Sequence, residues 1–73
     1  MAHPMKAYRE RHGLTLAQLG DFLGVTKPAV FKWERGLGPS PAMAIEIEKL
    51  TGGELPRWEL RPDLWSAPQE VAE

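Results

Sequence analysis

The chain has 73 residues, no cysteine and a net charge of −1. A chain of this length makes one domain and buries only about 60% of its unfolded surface, so limited stability and self-association are expected. The lack of cysteine excludes disulfides and thiolate metal sites, and 26% charged with 42% apolar residues fits a folded chain rather than a disordered or membrane-spanning one.

Met1 to Pro4 receive no role. A first helix is expected from Met5 to His12, stopped by Gly13, a natural left-handed residue after a helix end. Helix 2 starts at Thr15, where Thr15-x-x-Gln18 forms a capping box that satisfies orphan amides of the first turn. Leu16, Leu19 and Leu23 follow at i, i+3 and i+7 as a core stripe, and Gly24 ends the helix. Gly20 inside it should loosen the helix by about 1 kcal/mol relative to alanine. Val25 plugs the corner and Thr26 caps helix 3, where Pro28 falls in a first turn that does not need its N–H. Helix 3 ends at Gly36.

Ser40-Pro41 is a second strong start signal, an N-cap serine followed by proline at the first helical position. Helix 4 then runs to about Thr51, with Met43, Ile47 and Leu50 on one face beside Ala44, and Ile45 at a core edge or a partner contact. Its wet side carries Glu46, Glu48 and Lys49, with Glu46–Lys49 a weak i,i+3 pair. Pro56 can open a short helix 5 holding Trp58 and Leu60, and Pro62 closes it. Leu64 and Trp65 should fold back as apolar anchors, and residues 66–73 should fray beyond a single domain of residues 1–65. No segment alternates long enough to make a strand, so an all-α fold is expected.

The link between helices 2 and 3 has about the length that a helix-turn-helix needs. Val25, Val30 and Trp33 face inward, while Lys27, Phe31 and Arg35 step by four along the opposite flank, with Pro28 and Lys32 parallel to them. A helix that is apolar on one side and cationic on the other can enter the major groove of DNA. The first residues of such a helix touch base edges, which nominates Thr26, Lys27, Pro28 and Ala29, then Phe31 and Lys32 one turn on. The lysines can donate to guanine or neutralise phosphate, and Phe31, Pro28 and Ala29 can pack on thymine methyls. Arg35 lies late on the helix and suits a phosphate. Thr15, Gln18 and Thr26 add polar groups at helix starts that favour phosphate. Taken alone, the three cations would suit an ordinary solvated face, but an exposed phenylalanine between lysines is unusual on an idle surface.

The distribution of charge agrees. Residues 1–38 hold six basic and three acidic side chains, a net of +3, whereas residues 39–73 hold three basic and seven acidic ones, a net of −4. This suggests a basic working face and an acidic far side. His3 and His12 lack the spacing and the carboxylate company of a metal pair. No activated nucleophile, phosphate-cradling loop or paired-acid pocket is apparent, so neither an enzyme nor a cofactor is expected. The absence of a charged-then-apolar leader points to the cytoplasm.

Leu14-Thr15 through Trp33-Glu34-Arg35-Gly36 resembles the Cro/C1-type, XRE-like helix-turn-helix of phage repressors and related bacterial regulators. Thr51-Gly52-Gly53 and Leu60-Arg61-Pro62-Asp63-Leu64-Trp65 are similar to the narrower group of small YdaS-type Cro-like regulators. The resemblance implies a compact five-helix, lambda-repressor-like domain. It implies a homodimer bound to a near-palindromic double-stranded DNA operator, acting by blocking a promoter. It also implies a structural ion pair between Arg9 and Glu34. Three departures stand out: Gly20 where the family often has alanine, and Pro28 and Phe31 at positions that are often polar. These favour methyl contact over bidentate hydrogen bonds. A dimer surface is expected around Trp58, Leu64 and Trp65. A competing reading makes Phe31, Trp58 and Trp65 a partner surface, with the chain as the antitoxin half of a toxin–antitoxin pair.

Overall fold

A computed structural model describes residues 3–68. Five helices follow in order: α1 (Pro4–Arg11), α2 (Leu16–Leu23), α3 (Lys27–Glu34), α4 (Pro41–Leu50) and α5 (Arg57–Leu60). No strand occurs among the described residues. The expected tail from residue 66 falls partly outside them, residues 69–73 being undescribed.

Local chemistry places the helix starts. The Thr15 hydroxyl accepts from the Gln18 amide at 3.1 Å, and the Gln18 side-chain oxygen accepts from the Thr15 amide at 2.8 Å, completing the capping box. Thr26 caps α3 through the Ala29 amide and Ser40 caps α4 through the Met43 amide. His3, to which the sequence assigned no role, caps α1: its Nδ1 accepts from the Met5 amide at 3.1 Å, with Pro4 opening the helix. Gly24 takes a left-handed φ of 74° at the turn, a conformation that a Cβ would penalise.

Met5 and Tyr8 of α1, Leu19 and Leu23 of α2, Val30 and Trp33 of α3, and Ala44 and Ile47 of α4 converge on one core. Leu55 and Leu60 close it from the α5 end. Each fully buried aliphatic side chain contributes about 1.5–3 kcal/mol, which favours holding every helix against this single cluster. Leu55, 1% exposed, is a core residue that the periodicity did not single out, because it sits in the turn before α5.

Three stripe assignments are corrected. Leu50 is 41% exposed, and Thr51 takes its place in the interior. The buried face of α4 runs Ala44, Ile47, Thr51, a step of three and then four, rotated slightly from the expected one. Thr51 can be buried because its hydroxyl donates to the Ile47 carbonyl at 2.8 Å and accepts from the Leu55 amide at 3.1 Å. Leu16, the first residue of α2, is only half-buried at the core edge. Leu64 is 46% exposed, whereas Trp65 does fold back against the core with the Arg57 guanidinium 5.5 Å from its ring.

Gly20 also reads differently in three dimensions. A Cβ there would lie 2.8 Å from the Val25 carbonyl oxygen, so the missing side chain lets α2 sit against the turn into α3. The loss of helix propensity is offset by this close approach.

Candidate nucleic-acid interface

Helices α2 and α3 pack on each other across Gly24, Val25 and Thr26. Val30 is fully buried and Trp33 is 9% exposed, which fixes the rotation of α3. The opposite flank then faces solvent. Lys27, Pro28, Phe31, Lys32 and Arg35 are all exposed, Phe31 to 49%. Phe31 lies outside the core, well away from the interior position of Trp33.

Thr15, Gln18 and Thr26 lie exposed at the starts of α2 and α3. Their oxygens are engaged in capping, while the Gln18 carboxamide nitrogen has no hydrogen bond among the described residues and can still donate. Ala29 departs from the expected set. It shares a helical row with Trp33, is half-buried and packs against the core, so little of it reaches the outer flank.

Two features of this flank escape a reading of the sequence. The Arg35 guanidinium lies 5.5 Å from the centre of the Phe31 ring, a cation–π contact between the two exposed side chains. Leu16, Lys27, Pro28 and Phe31 together line an open notch between the start of α2 and α3. The i,i+4 spacing of Phe31 and Arg35 is a local signal for the first. The second needs two helices and has no local signal.

Seven of the nine basic residues fall into two groups, while Lys6 on α1 and Lys49 on α4 also have no carboxylate within 4 Å among the described residues. Arg9, Arg11, Arg57 and Arg61 each pair with a carboxylate, namely Glu34, Glu54, Glu48 and Asp63. Lys27, Lys32 and Arg35 have no carboxylate within 4 Å among the described residues. The α3 flank therefore keeps its positive charge available to an anion.

The Arg9–Glu34 pair ties α1 to the end of α3. Arg9 Nε donates to Glu34 Oε2 at 2.7 Å and a terminal nitrogen donates to Oε1 at 3.1 Å. A further bond runs from Arg9 to the Leu14 carbonyl. The Glu34 side chain is 7% exposed, and its hydrogen bonds push the Arg9 guanidinium above its ordinary pKa. The pair orients α3 from behind and leaves the outer flank clear.

Away from this flank, Glu48 is half-buried and accepts from Arg57 Nε at 2.8 Å. This corrects its expected place on the wet side of α4. His12 Nε2 lies 3.0 Å from Glu54 Oε2, beside Arg11, and its ring sits 4.3 Å from that of Tyr8. The hydrogen bonds from His12 and Arg11 hold the Glu54 carboxyl below its usual range. No group of three or more potential metal ligands occurs among the described residues. None of their helices is long and apolar enough to cross a membrane.

Residues 5–58 match the helix-turn-helix family model HTH_3. The chain belongs to this helix-turn-helix family. It is 45% identical over 47 residues to a protein of Halobacterium salinarum whose name describes an HTH-type transcriptional regulatory protein, covering 64% of this chain and 15% of that protein. A protein of Methanoregula boonei with a name of the same kind is 38% identical over 45 residues, covering 62% of this chain and 14% of that protein. The chain thus spans about one-seventh of the length of these curated relatives. No solved structure matches it significantly.

Proposed function

We propose that this helix-turn-helix domain is a sequence-specific DNA-binding transcriptional regulator, acting as a Cro-like repressor through α3 in the major groove. The observation that carries the reading is the outer flank of α3, where three cations with no carboxylate within 4 Å among the described residues accompany an exposed phenylalanine. Cations without internal partners can displace counterions from DNA phosphates. The names of the two relatives support regulation as the role.

Lys27 and Pro28, in the first turn of α3, then approach base edges, with Phe31 and Lys32 following one turn on. Arg35, Thr15, Gln18 and Thr26 serve the phosphates, fixing register. Ala29 contributes at most its edge. Two copies bind the halves of a near-palindromic operator about 34 Å apart. Exposed Leu64 and half-buried Trp58 support a dimer surface beside α5, to which Trp65 adds only its outer edge.

Selection of bound sites from random double-stranded DNA tests the reading, followed by affinity measured against salt. A recurrent two-fold site and a steep loss of affinity with salt are expected. Failure to enrich any sequence refutes it. Association with a partner protein that is indifferent to salt, without DNA binding, would replace it with a protein-interaction role such as an antitoxin.

A further inference from the structure

We infer that the notch formed by Leu16, Lys27, Pro28 and Phe31 is a seat for the C5-methyl group of a pyrimidine in the major groove, so that the domain recognises its operator through that methyl. The inference rests on the DNA-binding reading and adds to it a specific ligand group and a residue of α2, Leu16.

The notch lies on the exposed flank of α3 and is lined by three apolar residues and one lysine. Leu16 supplies one wall from α2, while Pro28 and Phe31 supply the other from successive turns of α3. Lys27 completes the lining. The open volume is about 480 Å³. A group the size of one water occupies only about 30 Å³, so the methyl can enter with the adjoining edge of its base. Pro28 has no backbone N–H, and neither Leu16 nor Phe31 has a polar side-chain atom. Apart from Lys27, the lining therefore offers no side-chain hydrogen bond to a base.

In the major groove the feature of a base pair that such a surface can recognise is the pyrimidine C5-methyl, since the other edge groups are donors and acceptors. Putting those groups against apolar walls would strip them of water without compensation. Charge selects DNA as the occupant over an apolar protein segment: Lys27 lines the site and has no carboxylate within 4 Å among the described residues. The notch is also held in shape. Arg35 stacks on Phe31, and Leu16 is anchored at its inner side by the core and at its base by the Thr15–Gln18 capping box.

Thymine and 5-methylcytosine both carry this methyl, and an experiment can separate them. With a selected operator in hand, each thymine is replaced singly by deoxyuridine, which deletes only the methyl. The full chain is expected to lose about fourfold in affinity at one position in each half-site, the worth of one buried methyl group. Phe31→Ala and, separately, Leu16→Ala should bind thymine and uracil operators equally. Two variants on different helices guard against one that fails to fold, which circular dichroism would reveal.

At the sensitive position, a C·G pair is then compared with its 5-methylated form. A recovery of about fourfold on methylation extends the seat to either base. Loss on uracil without that recovery supports a thymine-only seat. Tight, salt-dependent binding that tolerates uracil at every thymine overturns the inference while leaving the DNA-binding reading intact. Failure to bind any DNA overturns the reading itself.

Discussion

The arginines outside α3 and the cations on the front of α3 are treated in opposite ways. Behind α3, arginines at positions 9, 11 and 57 each find a carboxylate, and Arg61, which lines an open pocket together with Lys32, finds Asp63. On the front of α3, Lys27, Lys32 and Arg35 find none among the described residues. The back uses charge to join helices, α1 to α3 across 25 residues and α4 to the neighbouring α5 across nine. The front leaves its charge for something outside. A net charge of −1 conceals this division, because neutralisation within the molecule is local.

The largest effect should come from the most buried of these pairs. Arg9→Ala leaves the Glu34 carboxylate enclosed without a partner, and about 3 kcal/mol of stability should be lost. A chain of this size has roughly 4–11 kcal/mol in total, so urea denaturation should show a large fall in midpoint. A variant that melts like the parent would mean that the back is no more committed to the fold than the front.

The complementary experiment is on the front. Lys27→Ala with Lys32→Ala should leave thermal stability within about 0.5 kcal/mol of the parent. Operator affinity should fall by on the order of 2 kcal/mol, and the dependence of log affinity on log salt should flatten by about one for each phosphate no longer neutralised. Unchanged binding in a gel-shift titration would remove the distinction between the two sides.

Gly20→Ala probes the joint between them. Helix propensity favours alanine by about 1 kcal/mol, but its Cβ would meet the Val25 carbonyl oxygen at 2.8 Å. Overpacking against backbone costs about 1–3 kcal/mol, so a net loss of about 1 kcal/mol is expected. For a domain of this size that is a fall of about 4–8 °C in Tm, measurable by calorimetry. A rise in Tm would show that the turn can yield.

The smallest effect is expected at His3. Burial lowers its pKa below the ordinary 6.5, against a weaker opposing influence from Glu34. The neutral ring is the form that caps α1, since Nδ1 must accept from the Met5 amide. A depressed pKa means that the contribution is fully present above pH 6.5 and is lost as pH falls through the folded value. The protection factor of the Met5 amide, its exchange rate divided into the intrinsic rate at the same pH, should therefore fall on acidification below pH 6.5, and His3→Ala should abolish that dependence. The α3 flank should not respond over the same range.

What could be read from the chain follows from the reach of the interactions involved. Thr15 with Gln18, Thr26 with Ala29, and Ser40 with Met43 act over three residues, so their meaning is printed in the order of the amino acids. The outward Phe31 was foreseeable as well, because Val30 and Trp33 claim the inner face of the same short helix. The edges of the stripes were not. Leu16, Ala29 and Leu50 lie near the boundary between the buried and open faces, where a small rotation of a helix decides burial, and neighbouring helices set that rotation. Tertiary packing alone brought Leu16 beside Pro28 and Phe31, Arg57 beside Glu48, and His12 and Arg11 beside Glu54. Helix ends and faces arise from nearest neighbours along the backbone. Which cations remain free depends on carboxylates that can be 25 to 43 positions away, and only the folded chain brings those together.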